Sequence, residues 1–196
     1  MNKYCIIRTN NIDWDLIPKA EIANSPWKKD YPAEYKAHAQ VANLGLCLAV
    51  RLTAYEKEPL RSCREDNGPV YKDSCLEFFI MPDRKTGVYY NFECNPNGAM
   101  LVGVGNERNG RSFVKVPGPY REAFNIITEV NEDSWSVQYM IPFGIIGGTC
   151  ETRGNFYKCR EDDDRAHFMC WNNIVADKPD FHRPEFFGAL EMGEIR

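Results

Sequence analysis

Short apolar runs set the fold class of this sequence. They are four to nine residues long, rich in β-branched and aromatic side chains, and separated by clusters of Gly, Pro, Asn and Asp. That rhythm is the signature of strands joined by tight turns. It predicts an all-β chain, an antiparallel β-sandwich of immunoglobulin-like or jelly-roll-like type. No convincing amphipathic helix interrupts the pattern. Only Ala33 to Ala42, AEYKAHAQVA, reads as a short helical or irregular turn. With no internal repeat and no low-complexity linker, residues 1–196 are expected to form a single domain, long enough to bury a sizeable core.

Side-chain alternation assigns faces within the runs. Tyr4 to Arg8 reads as an edge strand. In Leu46 to Tyr55, residues Leu46, Leu48, Val50 and Leu52 take the core face, and Arg51 stands among small residues on the other. Residues 56–70 form a polar loop rich in turn formers. Cys75–Met81 and Val88–Cys94 then make a hairpin around PDRKTG. Leu76, Phe78 and Ile80 share its buried face with Val88, Tyr90 and Phe92. Glu77 and Phe79 share the opposite face with Tyr89, Asn91 and Glu93. A face mixing carboxylates, an amide and rings is either solvated or a recognition surface. Further strands follow at Gly98–Val104, Phe124–Val130, Trp135–Ile141 and Phe186–Met192. Trp14 and Trp27 read as packing residues.

The segment Gly154–Glu191 has a different character. It interleaves aromatic, acidic and amide residues with little periodicity, as a binding loop does. Trp171, flanked by Cys170, Asn172 and Asn173, is its candidate ligand-facing ring. Glu161-Asp162-Asp163-Asp164 is the densest acidic run, and Asp162, Asp163 and Asp164 are candidate calcium ligands. Cys159, His167, Cys170 and His182 can be drawn as a zinc site, but they lack the paired spacing that zinc sites show. His167 and Met169, two apart, are haem-ligand candidates without the C-x-x-C-H attachment motif. Pro179–Glu185 reads as a rigid loop that braces Trp171, with Asp180, Arg183 and Glu185 pairing among themselves.

Composition excludes several classes. Net charge is −4 with no basic block, which argues against nucleic acid as a partner. No apolar run approaches the roughly 20 residues that a membrane helix needs. The first residues, MNKYCIIRTNNIDWD, lack the apolar stretch of a signal peptide, so a cytoplasmic protein of bacterial style is expected, or a secreted one if a leader was removed. On the same ground the eight scattered cysteines read as buried free thiols. The sequence does not indicate an oligomeric state.

An ordered set of pieces carries a resemblance. It comprises Ile12-Asp13, Ile17-Pro18 and Ala20, then Tyr71-Lys72-Asp73-Ser74-Cys75-Leu76-Glu77-Phe78-Phe79, then Tyr90-Asn91-Phe92-Glu93 with Asn97-Gly98. Trp135, Val137, Tyr139 and Ile141-Pro142-Phe143 follow, then Gly154-Asn155-Phe156-Tyr157-Lys158-Cys159, and Trp171. Together they resemble a family 9 carbohydrate-binding module of the stand-alone, family 9-like branch, over about residues 12–192.

The resemblance implies a β-sandwich that binds a mono- or oligosaccharide without catalysis, in support of carbohydrate catabolism, and often with calcium. In that family two tryptophans clamp the sugar ring while a carboxylate and amides bind its hydroxyls. One ring position matches Tyr71, the carboxylate matches Glu77, and the second ring matches Trp171 with Asn172 beside it. The assisting basic residue has no clear match; Arg51 and Arg111 are candidates. Asn91 and Glu93 add hydrogen-bonding groups of the kind that hydroxyls need. The competing enzyme reading makes Glu77 and Glu93 a glycosidase carboxylate pair, with Arg51 or a cation between them to relieve repulsion.

Overall fold

The computed structural model describes residues 1–32, 35–114, 119–161 and 164–195. In chain order the strands are β1 (Lys3–Arg8), β2 (Ala20–Glu21), β3 (Lys36–Asn43), β4 (Cys47–Tyr55), β5 (Cys75–Met81), β6 (Tyr89–Cys94) and β7 (Met100–Gly105). They continue as β8 (Ser112–Phe113), β9 (Ile127–Val130), β10 (Trp135–Pro142), β11 (Arg153–Arg160), β12 (His167–Cys170) and β13 (Gly188–Ile195). Two short helices, α1 (Pro119–Phe124) and α2 (Phe143–Ile146), flank β9 and β10.

Hydrogen bonding runs in one path, β8-β7-β6-β5-β11-β13-β1-β3-β4-β10-β9, with β12 added to β11 and β2 to β3. The path curls so that its two halves share one core. Phe78, Phe92 and Phe156 from one half meet Val50, Leu52 and Tyr139 from the other. The Phe92 and Tyr139 rings lie 6.1 Å apart.

The all-β expectation holds at the level of architecture, with four local corrections. First, the sheet is mixed rather than antiparallel, because β1 pairs in parallel with both β13 and β3. Second, β1 therefore sits mid-path and is not an edge strand. Third, Lys36–Asn43 is a strand, while residues 33 and 34 of the expected helical turn lie outside the described residues. The alanines there favour a helix locally, but eight registered pairs with β4 and burial of both faces override that preference. Its outer face is covered by the N-terminal segment, where Gln40 Nε2 donates to the Ile17 carbonyl at 2.8 Å. Fourth, Leu46 is 86% exposed, because it precedes the strand in a turn whose carbonyl accepts from the Phe143 amide.

The hairpin register agrees with the alternation. Glu77 lies directly across from Glu93, Phe78 from Phe92 and Phe79 from Asn91. One face packs into the inter-sheet core. The other meets a second cluster built from Trp27, Phe79, Tyr89, Tyr157, Phe181 and Phe187. This cluster is the underside of the 171–187 segment, folded over the outer face of β5, β6 and β11. Covering that face only partly leaves a cavity beside it.

Candidate functional site

The cavity holds roughly 630 Å³. Its floor is the outer face of the hairpin, formed by Glu77, Phe79, Asn91 and Glu93, with Leu101 of β7 beside them. Its walls are Tyr71 on a single 3-10 turn, the 108–113 loop, Phe168 of β12 and Pro179–His182. Rings therefore stand around acid and amide groups.

Floor groups are tied in a directed chain. Asn91 Nδ2 donates to Glu93 Oε1 at 2.8 Å, and Asn91 Oδ1 accepts from Arg111 Nη2 at 2.6 Å and Nε at 3.1 Å. Arg111 also stacks over the Tyr89 ring at 4.1 Å and donates to the Tyr89 carbonyl. Gly103 makes room for this amide, since a Cβ there would fall 2.6 Å from Asn91 Oδ1. Nearby, Tyr89 Oη and His182 Nδ1 are 3.0 Å apart, and Arg108 reaches Asp180 at 2.9 Å between the two walls.

Burial dominates the electrostatics. Glu77, 2% exposed, has its carboxyl pushed well above the usual range, first by desolvation and then by Cys159 and Glu93. Cys159 Sγ donates to Glu77 Oε1 at 3.1 Å. Glu93 is pushed up to about 7, again chiefly by burial, with the Asn91 hydrogen bond opposing. The two carboxyls can face each other because burial favours the neutral form of each. Arg51 is not between them. It lies on β4 in the other half of the sheet, between Gln40 and Gln138.

Of the expected site residues, Tyr71, Glu77, Asn91, Glu93 and Arg111 come together here. Trp171 and Asn172 do not. Trp171 is 6% exposed inside the inter-sheet core, its ring centroid 5.5 Å from that of Phe156 and 6.4 Å from that of Tyr4. A Cβ at Gly188 would sit 2.4 Å from the indole. Asn172 is a structural clip: its Oδ1 accepts from the Asn2 amide and its Nδ2 donates to the Phe186 carbonyl. Polar neighbours suggest an exposed Trp171, but the Asn172 side chain binds backbone. The 179–182 loop, expected to brace Trp171, lines the cavity instead. Asp180 pairs with Arg108, while Arg183 and Glu185 pair with each other at 2.7 Å. The rings missed from sequence are Phe113, Phe168 and Phe181. The position of Phe181 between two prolines was the signal available.

The zinc and haem sets are not assembled. His167 Nε2 lies 2.8 Å from Lys158 Nζ, His182 faces Tyr89, and Cys170 packs with Trp27. Met169 Sδ accepts from the Tyr35 amide. Asp162 and Asp163 lie outside the described residues, and Asp164 is exposed. Among the described residues, the one convergent group of three ligating side chains is Cys75, Glu77 and Cys159. A sulfur-rich set of this kind does not suit calcium, which takes oxygen ligands.

The model for carbohydrate-binding family 9 matches residues 7–192. The chain belongs to carbohydrate-binding family 9. The family is one of non-catalytic modules, which removes the reading of Glu77 and Glu93 as a glycosidase pair. Similar solved structures include a Bacteroides uniformis protein for which carbohydrate binding is proposed, at 25% identity and a TM-score of 0.84, covering 96% of this chain and 97% of that one. A family 9 module from Caldicellulosiruptor kristjanssonii in complex with cellotriose matches at 11% identity and a TM-score of 0.66, over 100% of this chain and 95% of that one. The glucose complex of a family 9 module from that organism matches at 13% identity and 0.65, over 100% and 97%. No curated protein matches the sequence.

Proposed function

We propose that the cavity above Glu77 and Glu93 holds a sugar unit without turning it over. Tyr71 and Phe168 are the stacking rings, and Glu77, Asn91, Glu93 and Arg111 are the partners for its hydroxyls. One observation carries the reading: buried carboxylates with spare hydrogen-bonding capacity form the floor of a ring-lined cavity large enough for a sugar. Hydroxyls need such planar acceptors and donors, and C–H faces of the ring need flat surfaces. The family 9 complexes with glucose and cellotriose make β-linked glucose the first ligand to try. A place in carbohydrate catabolism is part of the same proposal.

Isothermal titration with glucose, cellobiose and cellotriose tests it. Glu77→Gln is expected to weaken binding by about 10- to 100-fold, the range for leaving a buried polar partner unsatisfied. Tyr71→Ala should weaken it as well. Equal affinity for wild type and both variants would place the ligand elsewhere.

A further inference from the structure

The floor of the cavity carries a second set of donors. Cys75 and Glu77 lie two apart on β5 and so share its outer face, and Cys159 on β11 is the registered partner of Cys75. One donor atom from each, two sulfurs and a carboxylate oxygen, lies within 4.8 Å of the others. All three residues are buried, and none is used in a disulfide.

We propose that Cys75, Cys159 and Glu77 form a site for a thiophilic divalent cation, of which Zn²⁺ is the type, with its fourth position open toward the cavity. Tetrahedral zinc binds sulfur at about 2.3 Å and carboxylate oxygen at about 2.0–2.2 Å, which separates neighbouring donors by roughly 3.5–4 Å. Small side-chain rotations close the existing set to that spacing. Three protein ligands and one open position differ from structural zinc sites, which are closed by four.

The local chemistry favours a cation. Glu77 faces Glu93 across the ladder and Cys159 at its side, so three acidic groups crowd together out of water. The cavity offers an entry path, because Glu77 lines it. As the ion enters, each thiol gives its proton to solvent and its sulfur lone pair to the metal. Glu77 binds as the carboxylate, and the proton of the buried pair stays on Glu93. Calcium and magnesium are disfavoured, since thiolates are poor ligands for hard cations.

Metal binding shares Glu77 with the sugar reading but needs no sugar, and it is measured without one. Cys5→Ser/Cys150→Ser removes the two exposed thiols and serves as the parent protein. Zinc content after purification without chelators and affinity by competition with a chromophoric chelator are expected to give one ion per chain, tighter than micromolar. Cys75→Ser and Cys159→Ser should each lose it, and Glu77→Gln should weaken it at least tenfold. Cobalt loading of the parent needs no buried variant: thiolate-to-metal absorption of two-thiolate strength supports the site. No tight ion, a cobalt spectrum without two thiolates, or zinc retained in both serine variants would overturn it, as would a Cys75–Cys159 disulfide in the purified chain. Sugar titration of the zinc-loaded and chelated forms reports on the cavity separately.

Discussion

Strand β11 separates two buried polar clusters that differ in one respect. On its inner face Lys158 and Arg160 meet Glu56: Lys158 Nζ is 3.0 Å from Glu56 Oε2 and Arg160 3.9 Å from Oε1. Glu56 also accepts from Trp135 Nε1 and Ser74 Oγ, and Lys158 contacts His167. Lys158 and these hydrogen bonds hold the Glu56 carboxyl below its usual range despite the cost of burial. On the outer face Cys159 meets Glu77, and Glu77 faces Glu93 across the ladder, acid beside acid, with both carboxyls lining a cavity. Both clusters are buried. The inner one is internally partnered and is scaffold; the outer one keeps capacity for something from outside.

Breaking the inner cluster should cost stability rather than affinity. Lys158→Ala leaves buried Glu56 with only the more distant Arg160 as its cation and is expected to destabilise the fold by about 3 kcal/mol. For a chain of this size that lowers the melting temperature by roughly 10 °C. Sugar affinity of the remaining folded protein should not change. If calorimetry finds stability intact, the inner cluster is not scaffold.

Trp171→Ala sharpens the same contrast on the core side. It should cost about 3–5 kcal/mol, the usual range for deleting a buried aromatic. A variant of full stability that has lost sugar binding would return Trp171 to the ligand. At the outer cluster the pattern inverts. Glu77→Gln is expected to leave thermal stability unchanged or slightly raised, because a buried, crowded carboxyl is replaced by a neutral amide of similar shape, while binding drops. A large stability loss there would make the two clusters equivalent.

Acid provides a further probe. Burial and the adjacent Lys158 lower the His167 pKa to about 3, against 6.5 unfolded, with Glu56 opposing and Arg160 adding to the shift. His182, on the outer side, is lowered to about 4 by burial and by Arg111 and Arg108. For a depressed pKa the stabilising contribution is full above pH 6.5 and is lost as pH falls toward the folded value, because the unfolded chain takes up the proton first. Glu77 and Glu93, raised by burial, oppose this over the same range, so the readout is the difference from wild type. In denaturant titrations stepped downward from pH 6.5, His167→Gln should lose less stability than wild type, and by a larger margin than His182→Gln. Equal slopes in all three proteins would remove burial of His167 and His182 as the cause. The smallest effect is expected from Phe113→Ala. This rim ring is 61% exposed, so its loss should change affinity a few-fold at most and stability within about 0.5 kcal/mol.

Strand positions on the hairpin were legible because alternation is local. Glu77, Asn91 and Glu93 share a face wherever the chain goes, and a cross-strand register follows from a short turn. The reading of Trp171 failed for the opposite reason. Its neighbours Asn172 and Asn173 are polar, yet the Asn172 side chain binds the backbone of Asn2 and Phe186, contacts 170 and 14 residues away that no local pattern encodes. Ala33–Ala42 failed similarly, since pairing with β4 outweighed alanine's helical preference. By itself the sequence determined an all-β chain and which side chains travel together, because a strand's period of two is fixed by covalent geometry. Tertiary structure alone decided which faces are covered and which stay open. The 171–187 segment seals one part of the outer face and stops short of Glu77, and such coverage depends on contacts made at long range.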